Sequence, residues 1–167
     1  SKFIFLFALF ASYFFSIVHN IDQRAVDAGL VLAKIVVYPD EISPMNEYFV
    51  SSWTFLHQIS KLLLSFNWSF ANVSQFIIFI TAALFFLGIA LTINSATKSV
   101  YLSILVALII LIFQKNFGDT DYPSLFFSEH TYGMISLATA TLVFGLLFYG
   151  SLFLAGLFSS LLICIHP

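Results

Sequence analysis

A chain of 167 residues with a formal net charge of −2 is 8% charged and 60% hydrophobic, where a soluble domain is about a quarter charged and about half apolar. So few charges cannot build a water-facing exterior, and the expected solvent for most of the chain is membrane lipid. Six Lys and Arg make no basic patch, which sets nucleic acid aside as a partner.

A spanning helix needs about 20 apolar residues. The first run, residues 3–18, follows Lys2 and precedes His19-Asn20-Ile21-Asp22, with no small-x-small cleavage site, so it reads as a retained helix rather than a signal peptide. A loop over 19–73 comes next. Its residues 24–37 have the composition of an interfacial helix, with Asp27 and Lys34 on one face of an apolar stretch. Tyr38-Pro39-Asp40-Glu41 and Ser43-Pro44 mark turns, and Ser43 with Pro44 predicts the start of a helix running to about Phe66. Ser51, Thr54, Gln58, Lys61 and Ser65 would give that helix a polar stripe, so it is read as interfacial too.

Residues 74–93 and 100–113 form two further apolar runs, separated from the next by a loop over 115–131. The stretch 133–165 is too long for one span and is broken at Tyr149-Gly150-Ser151, which predicts a hairpin of two helices. Gly145, Gly150 and Gly156, with Ala138, Ala140 and Ala155, supply small residues for close packing in lipid. The expected fold is therefore an all-α polytopic transmembrane bundle of five spans, or six if the helix from Pro44 also crosses. Residues 1–167 form a single membrane domain. The chain lacks an initiator Met and stops at His166-Pro167 after an apolar helix, so it reads as the N-terminal part of a longer protein, with the rest of that chain or other subunits as partners.

With five spans, all eight acids and all four histidines face one side, taken as the outside. Charged residues must sit in loops, and the longer loops share that side, which explains part of the asymmetry. The other reading is that polar groups collect where chemistry occurs. Asp40 and Glu41 at the membrane surface suit a general base or a divalent-cation ligand, and equally suit a solvated turn. Asp119 and Asp121, two apart after Gly118, suit a hard cation such as Mg or Mn, with Glu129-His130 completing the set. Glu129, Asp121 or Thr131 are also ordinary helix caps. Neither an EF-hand pattern nor a zinc signature, Walker loop, Rossmann fingerprint or nucleophile elbow occurs. The sequons at Asn67 and Asn72 receive no role, and the lone Cys164 reads as a packing residue.

Taken together, one N-terminal span, a long outer loop with an acidic turn, a second outer loop ending in Glu129-His130-Thr131, and a hairpin closing on Ala155-Gly156-Leu157 and His166-Pro167 resemble the N-terminal half of GT-C-type membrane glycosyltransferases. The resemblance implies a polyprenyl-phosphate sugar donor and transfer at the outer face of the membrane. It implies an acid of the first outer loop as catalytic base: Asp40 matches best, then Glu41, while members that place the acid near the end of the first span favour Asp22. By the same analogy Glu129 and His130 would face phosphate or metal. The expected localisation is a multi-pass protein of the bacterial inner (plasma) membrane. A transporter fragment and a non-catalytic subunit of a membrane complex are the competing classes. The uncharged runs 74–93 and 100–113 argue against ion translocation.

Overall fold

The computed structural model describes residues 2–19, 26–38, 43–113 and 132–165. All regular structure among them is α-helical, as expected: α1 (Lys2–Val18), α2 (Asp27–Leu32), α3 (Pro44–Ser51), α4 (Phe55–Ser65), α5 (Phe70–Thr97), α6 (Val100–Phe113), α7 (Tyr132–Tyr149) and α8 (Leu152–Ile165).

The five apolar helices α1 and α5 to α8 pack side by side, and their neighbours fix their directions. Ile4 and Phe5 at the start of α1 lie beside Leu87 and Leu91 of α5, whereas Tyr13 and Ile17 lie beside Gln75 and Phe76, so the two helices are antiparallel. Ile135 of α7 joins a cluster with Val73 and Ile77 near the start of α5, while Leu142 and Leu146 join Ala90 and Leu91 near its end. α7 is thus parallel to α5. Ala155 lies with Leu146, and Ile165 with Ile135, so α8 returns antiparallel to α7. One end of the bundle, the mouth, gathers the end of α1, the starts of α5 and α7, and the end of α8.

α5 and α7 approach closest where side chains are missing. A Cβ on Gly145 would collide with the backbone of Gly88, and one on Gly88 with the carbonyl of Thr141. Small residues let helix backbones touch in this way, gaining dispersion contacts along both helices. Several hydroxyls inside the bundle are satisfied within their own helix, whereas the buried Ser95 and Ser136 hydroxyls have no hydrogen-bond partner among the described residues. Ser12 donates to the Ala8 carbonyl at 2.6 Å, Thr81 to Ile77 at 2.8 Å and Thr139 to Ile135 at 2.7 Å. The predicted break before α8 is present: Gly150 has φ +87°, and the Ser151 N–H donates to the Leu146 carbonyl, closing α7 with a left-handed cap.

At 28 residues, α5 would be ~42 Å long, against a hydrocarbon core of ~30 Å. It is the one helix among the described residues long and apolar enough to cross a membrane by length and composition. α1, α6, α7 and α8 are as apolar but have only 17, 14, 18 and 14 residues, so helix length alone does not establish the expected five spans.

The first loop departs from its expected helices. The predicted helix over 24–37 is reduced to α2, which stops when Lys34 takes φ +59° and the Ile35 N–H reaches back to the Leu30 carbonyl. The following Ile35-Val36-Val37 run is β-branched and a poor helix former, which favours ending there. The predicted helix from Pro44 to Phe66 is two helices. Ser52 and Thr54 are extended, and the Thr54 hydroxyl accepts the His57 N–H as the N-cap of α4. Thr54 therefore sits buried at a cap instead of on a polar stripe, because its hydroxyl competes with the helix for backbone donors. Neither piece, at 8 and 11 residues, is long enough to cross a bilayer, which removes the sixth span. α2 and α4 lock together where Gly29 meets Ser60, and Val26, Leu56 and Leu64 bury against Val73, Ile77, Ile135 and Ile165. The short helices thus cap the mouth.

Candidate functional site

Every candidate site residue chosen from the sequence lies outside the described residues: Asp22, Asp40 and Glu41 as catalytic groups, Asp119 and Asp121 as metal ligands, and Glu129 with His130 as phosphate- or metal-facing groups. The described residues on either side of them can be placed. His19 closes α1 with its ring 5.0 Å from that of Phe15, and Val26 is fully buried in the mouth cluster. Tyr38 and Ser43 bracket Asp40 and Glu41, and Ser43 leads directly into α3. Phe113 ends α6 and Tyr132 begins α7. Among the described residues no three His, Cys, Asp or Glu side chains come together.

His57 is a structural hub of the capping helices. Only 4% of it is exposed, and its Nδ1 lies 3.0 Å from the Ser52 carbonyl oxygen, the geometry of an Nδ1–H donor. The rings of Tyr48 and Phe49 meet it edge-on at 6.4 and 6.3 Å, tying α3 to α4 across the Ser52–Thr54 break. Burial disfavours the imidazolium and lowers the pKa from its ordinary 6.5, partly offset by the bond to Ser52. A neutral, enclosed ring of this kind holds a corner together and is poorly placed for catalysis.

Two grooves open around the mouth. The first, of about 540 Å³, runs between the last turns of α1 and the start of α5. Tyr13 and Ser16, one helical turn apart on α1, face Asn72 and Gln75, one turn apart on α5. Asn67 and Trp68 close its outer edge, Asn67 holding the left-handed φ of +62° that ends α4, and Trp68 meeting Phe76 at 5.6 Å. The Ser16 hydroxyl donates to the Tyr13 carbonyl and keeps its lone pairs available, while Ser69 caps α5 by accepting the Asn72 N–H. Among the described residues the lining contains no charged side chain. The second groove, about 260 Å³, lies between α4, α5, α7 and α8 and is apolar, with Phe55, Ile59, Ile80, Phe158 and Leu161 in its wall. Its chemistry matches a hydrocarbon chain.

The sequence reading passed over Gln75 and gave Asn72 no role. A signal for them exists: a glutamine one turn inside an uncharged apolar run, with an asparagine three residues before it, is an expensive pair to expose to lipid. No protein-family model, curated protein or solved structure matches this chain.

Proposed function

We propose that the chain is a multi-pass helical protein of the bacterial inner (plasma) membrane, glycosyltransferase-like, that transfers a sugar from a polyprenyl-phosphate donor at the outer face. The observation that carries the membrane part is the outward surface of the bundle. Phe10 on α1 is 68% exposed, Phe153 and Ile163 on α8 are 81% and 80% exposed, and α6 and α7 add Tyr101, Ile112 and Phe148. Water would leave such a surface unstable as a monomer, whereas lipid solvates it. Bilayer thinning and snorkelling of flanking residues reconcile spans of 14 to 18 residues with the hydrocarbon thickness.

The transferase part is supported by connectivity. The segments that carry Asp22, Asp40 and Glu41, and Asp119 to His130, join the described chain through the end of α1, the capping helices and the start of α7, all of which belong to the mouth. Asp40 is the proposed base toward an acceptor hydroxyl, with Glu41 and Asp22 as the alternative carboxylates. Glu129, His130, Asp119 and Asp121 are the proposed phosphate and cation groups. The apolar groove beside α4 offers hydrocarbon-lined room for a prenyl chain at the same end.

Single cysteines at Asp40, Lys98 and Asp121 in a Cys164→Ser background, probed with a membrane-impermeant thiol reagent on intact cells, test the topology. Labelling at 40 and 121 but not at 98 is expected. Separation of 40 from 121 would sink the shared outer face. Membranes carrying the wild-type chain should transfer labelled sugar from a polyprenyl-phosphate sugar, and Asp40→Asn should abolish it. No transfer by the wild type would leave a non-catalytic subunit of a membrane complex.

A further inference from the structure

The end of the bundle opposite the mouth carries a groove of its own. It has a volume of about 480 Å³ and is walled by the first halves of α1 and α8 and by α5 and α7. Ile4, Ala8, Leu91, Leu142 and Leu146 are buried and form its depth, while Phe5, Tyr149 and Leu154 are exposed and form its rim. Along α5 it extends from Ala83 to Leu91, a rise of ~12 Å, close to the ~15 Å that is half of a bilayer's hydrocarbon core. The groove is therefore about as long as one leaflet is thick.

Its character changes along that length. Tyr149 and Ser151, the polar side chains described in its lining, both lie at the end away from the mouth, where α7 turns into α8. On α1, Phe5 and Leu9 line the groove, and Lys2 stands one turn before Phe5 on the same stripe. Lys98 caps α5 at this end too. The other charged side chains among the described residues, Asp27, Lys34, Glu47 and Lys61, belong to the capping segment at the mouth. Hydrocarbon, then hydroxyls, then two cations is the sequence of surfaces that complements an acyl chain, its ester region and a phosphate. A lysine at a helix end reaches such a phosphate by laying its methylenes along the apolar wall.

We propose that this groove holds one acyl chain of an anionic phospholipid from the leaflet at that end, with the phosphate beside Lys2. The proposal rests on the membrane part of the function proposed above and does not depend on sugar transfer.

The chain, purified in mild detergent, is titrated with dioleoyl phosphatidylglycerol and, separately, with dioleoyl phosphatidylcholine, and lipid-bound species are followed by native mass spectrometry. Tighter binding of the anionic lipid is expected. Lys2→Gln should weaken that binding about fivefold, the equivalent of ~1 kcal/mol for one cation near an anionic headgroup. Lys61→Gln removes the same charge at the mouth and should change nothing. Leu87→Trp, which fills the groove, should weaken both lipids, and Leu154→Trp at the rim makes the same test if Leu87→Trp does not fold. Equal binding of the two lipids, an equal loss in Lys2→Gln and Lys61→Gln, or unchanged binding in the groove-filling variant overturns the proposal. So does a lipid-free dimer that Leu154→Trp abolishes, which would put a second copy in the groove. Release of the chain from membranes by alkaline carbonate would refute the membrane reading itself, whereas a chain that resists extraction but shows no lipid preference refutes the lipid site alone.

Discussion

The bundle helices and the capping helices of this chain are stabilised in different ways. α5 and α7 run alongside each other over most of their length and are held by what they lack, the side chains of Gly88 and Gly145. α2, α3 and α4 are short and are held by particular hydrogen bonds and rings: the Thr54 cap, the His57–Ser52 bond, and Tyr48 and Phe49 around the imidazole. The bundle draws on lipid-compatible packing summed over many atoms, and the cap on a few directional contacts. Removing one atom group should therefore matter little in the bundle unless it opens the glycine contact. In the cap almost any polar contact should matter.

The largest effect is expected from Gly145→Leu. The new side chain would be driven into the Gly88 backbone, which has no rotamer with which to yield, so α5 and α7 must separate along their shared face. A loss on the order of 3 kcal/mol or more is expected, at or beyond the upper range for overpacking. Denaturant titration in mixed micelles reads it. Gly156→Leu is the control, since nothing lies within 4 Å of a Cβ there, and it should be near neutral. Equal losses at both sites would show that the glycine contact is not what joins the helices.

The cap should differ from the bundle in pH sensitivity. The neutral form of His57 is favoured in the folded state, and its folded pKa lies below the ordinary 6.5. The unfolded chain thus binds the proton more readily, and stability falls as pH falls. The contribution is fully present above about 6.5 and is lost progressively as pH drops below it toward the folded pKa. Hydrogen exchange across α3 and α4 at pH 8 and pH 5 should show the cap opening at the lower pH while α5 and α7 stay protected. His57→Gln, which keeps an N–H for the Ser52 carbonyl but does not titrate, should remove that difference. A pH-independent cap in the parent chain would show that the imidazole is not the sensor.

The same contrast explains what was legible in the sequence. The helices of the bundle follow from composition, because long uncharged apolar runs interrupted by Lys98-Ser99 and Gly150-Ser151 leave the backbone few alternatives. α2 and α4 do not follow so simply. Helical spacing of polar residues over 44–66 was real as a pattern, yet a hydroxyl at Thr54 and a carbonyl at Ser52 found better partners off the helix. Periodicity cannot weigh those bonds. The groove amides at Asn72 and Gln75 were hidden for a different reason: their meaning depends on Tyr13 and Ser16, nearly sixty residues earlier, facing them across the bundle. The carboxylates chosen from the acidic turns remain a reading of chemistry and connectivity, since all of them lie outside the described residues.

The smallest expected effect, and the one of opposite sign, is at Lys34. It closes α2 from the left-handed region, with its N–H on the Val31 carbonyl and the Ile35 N–H on Leu30, an arrangement that glycine adopts without a Cβ clash. Lys34→Gly should therefore stabilise the end of α2 by about 0.5–1 kcal/mol, the strain relieved less the extra freedom gained by the unfolded chain. Slower exchange of the Ile35 amide, with α5 unchanged, would register it. The equivalent change at Gly150 runs the other way. Gly150→Lys places a side chain in open space but at φ +87°, so it should destabilise the α7–α8 turn with no steric collision to blame. If the two substitutions instead shift stability in the same direction, the left-handed caps are not what ends these helices. The β-branched run after Lys34 would then be the better explanation for the short α2.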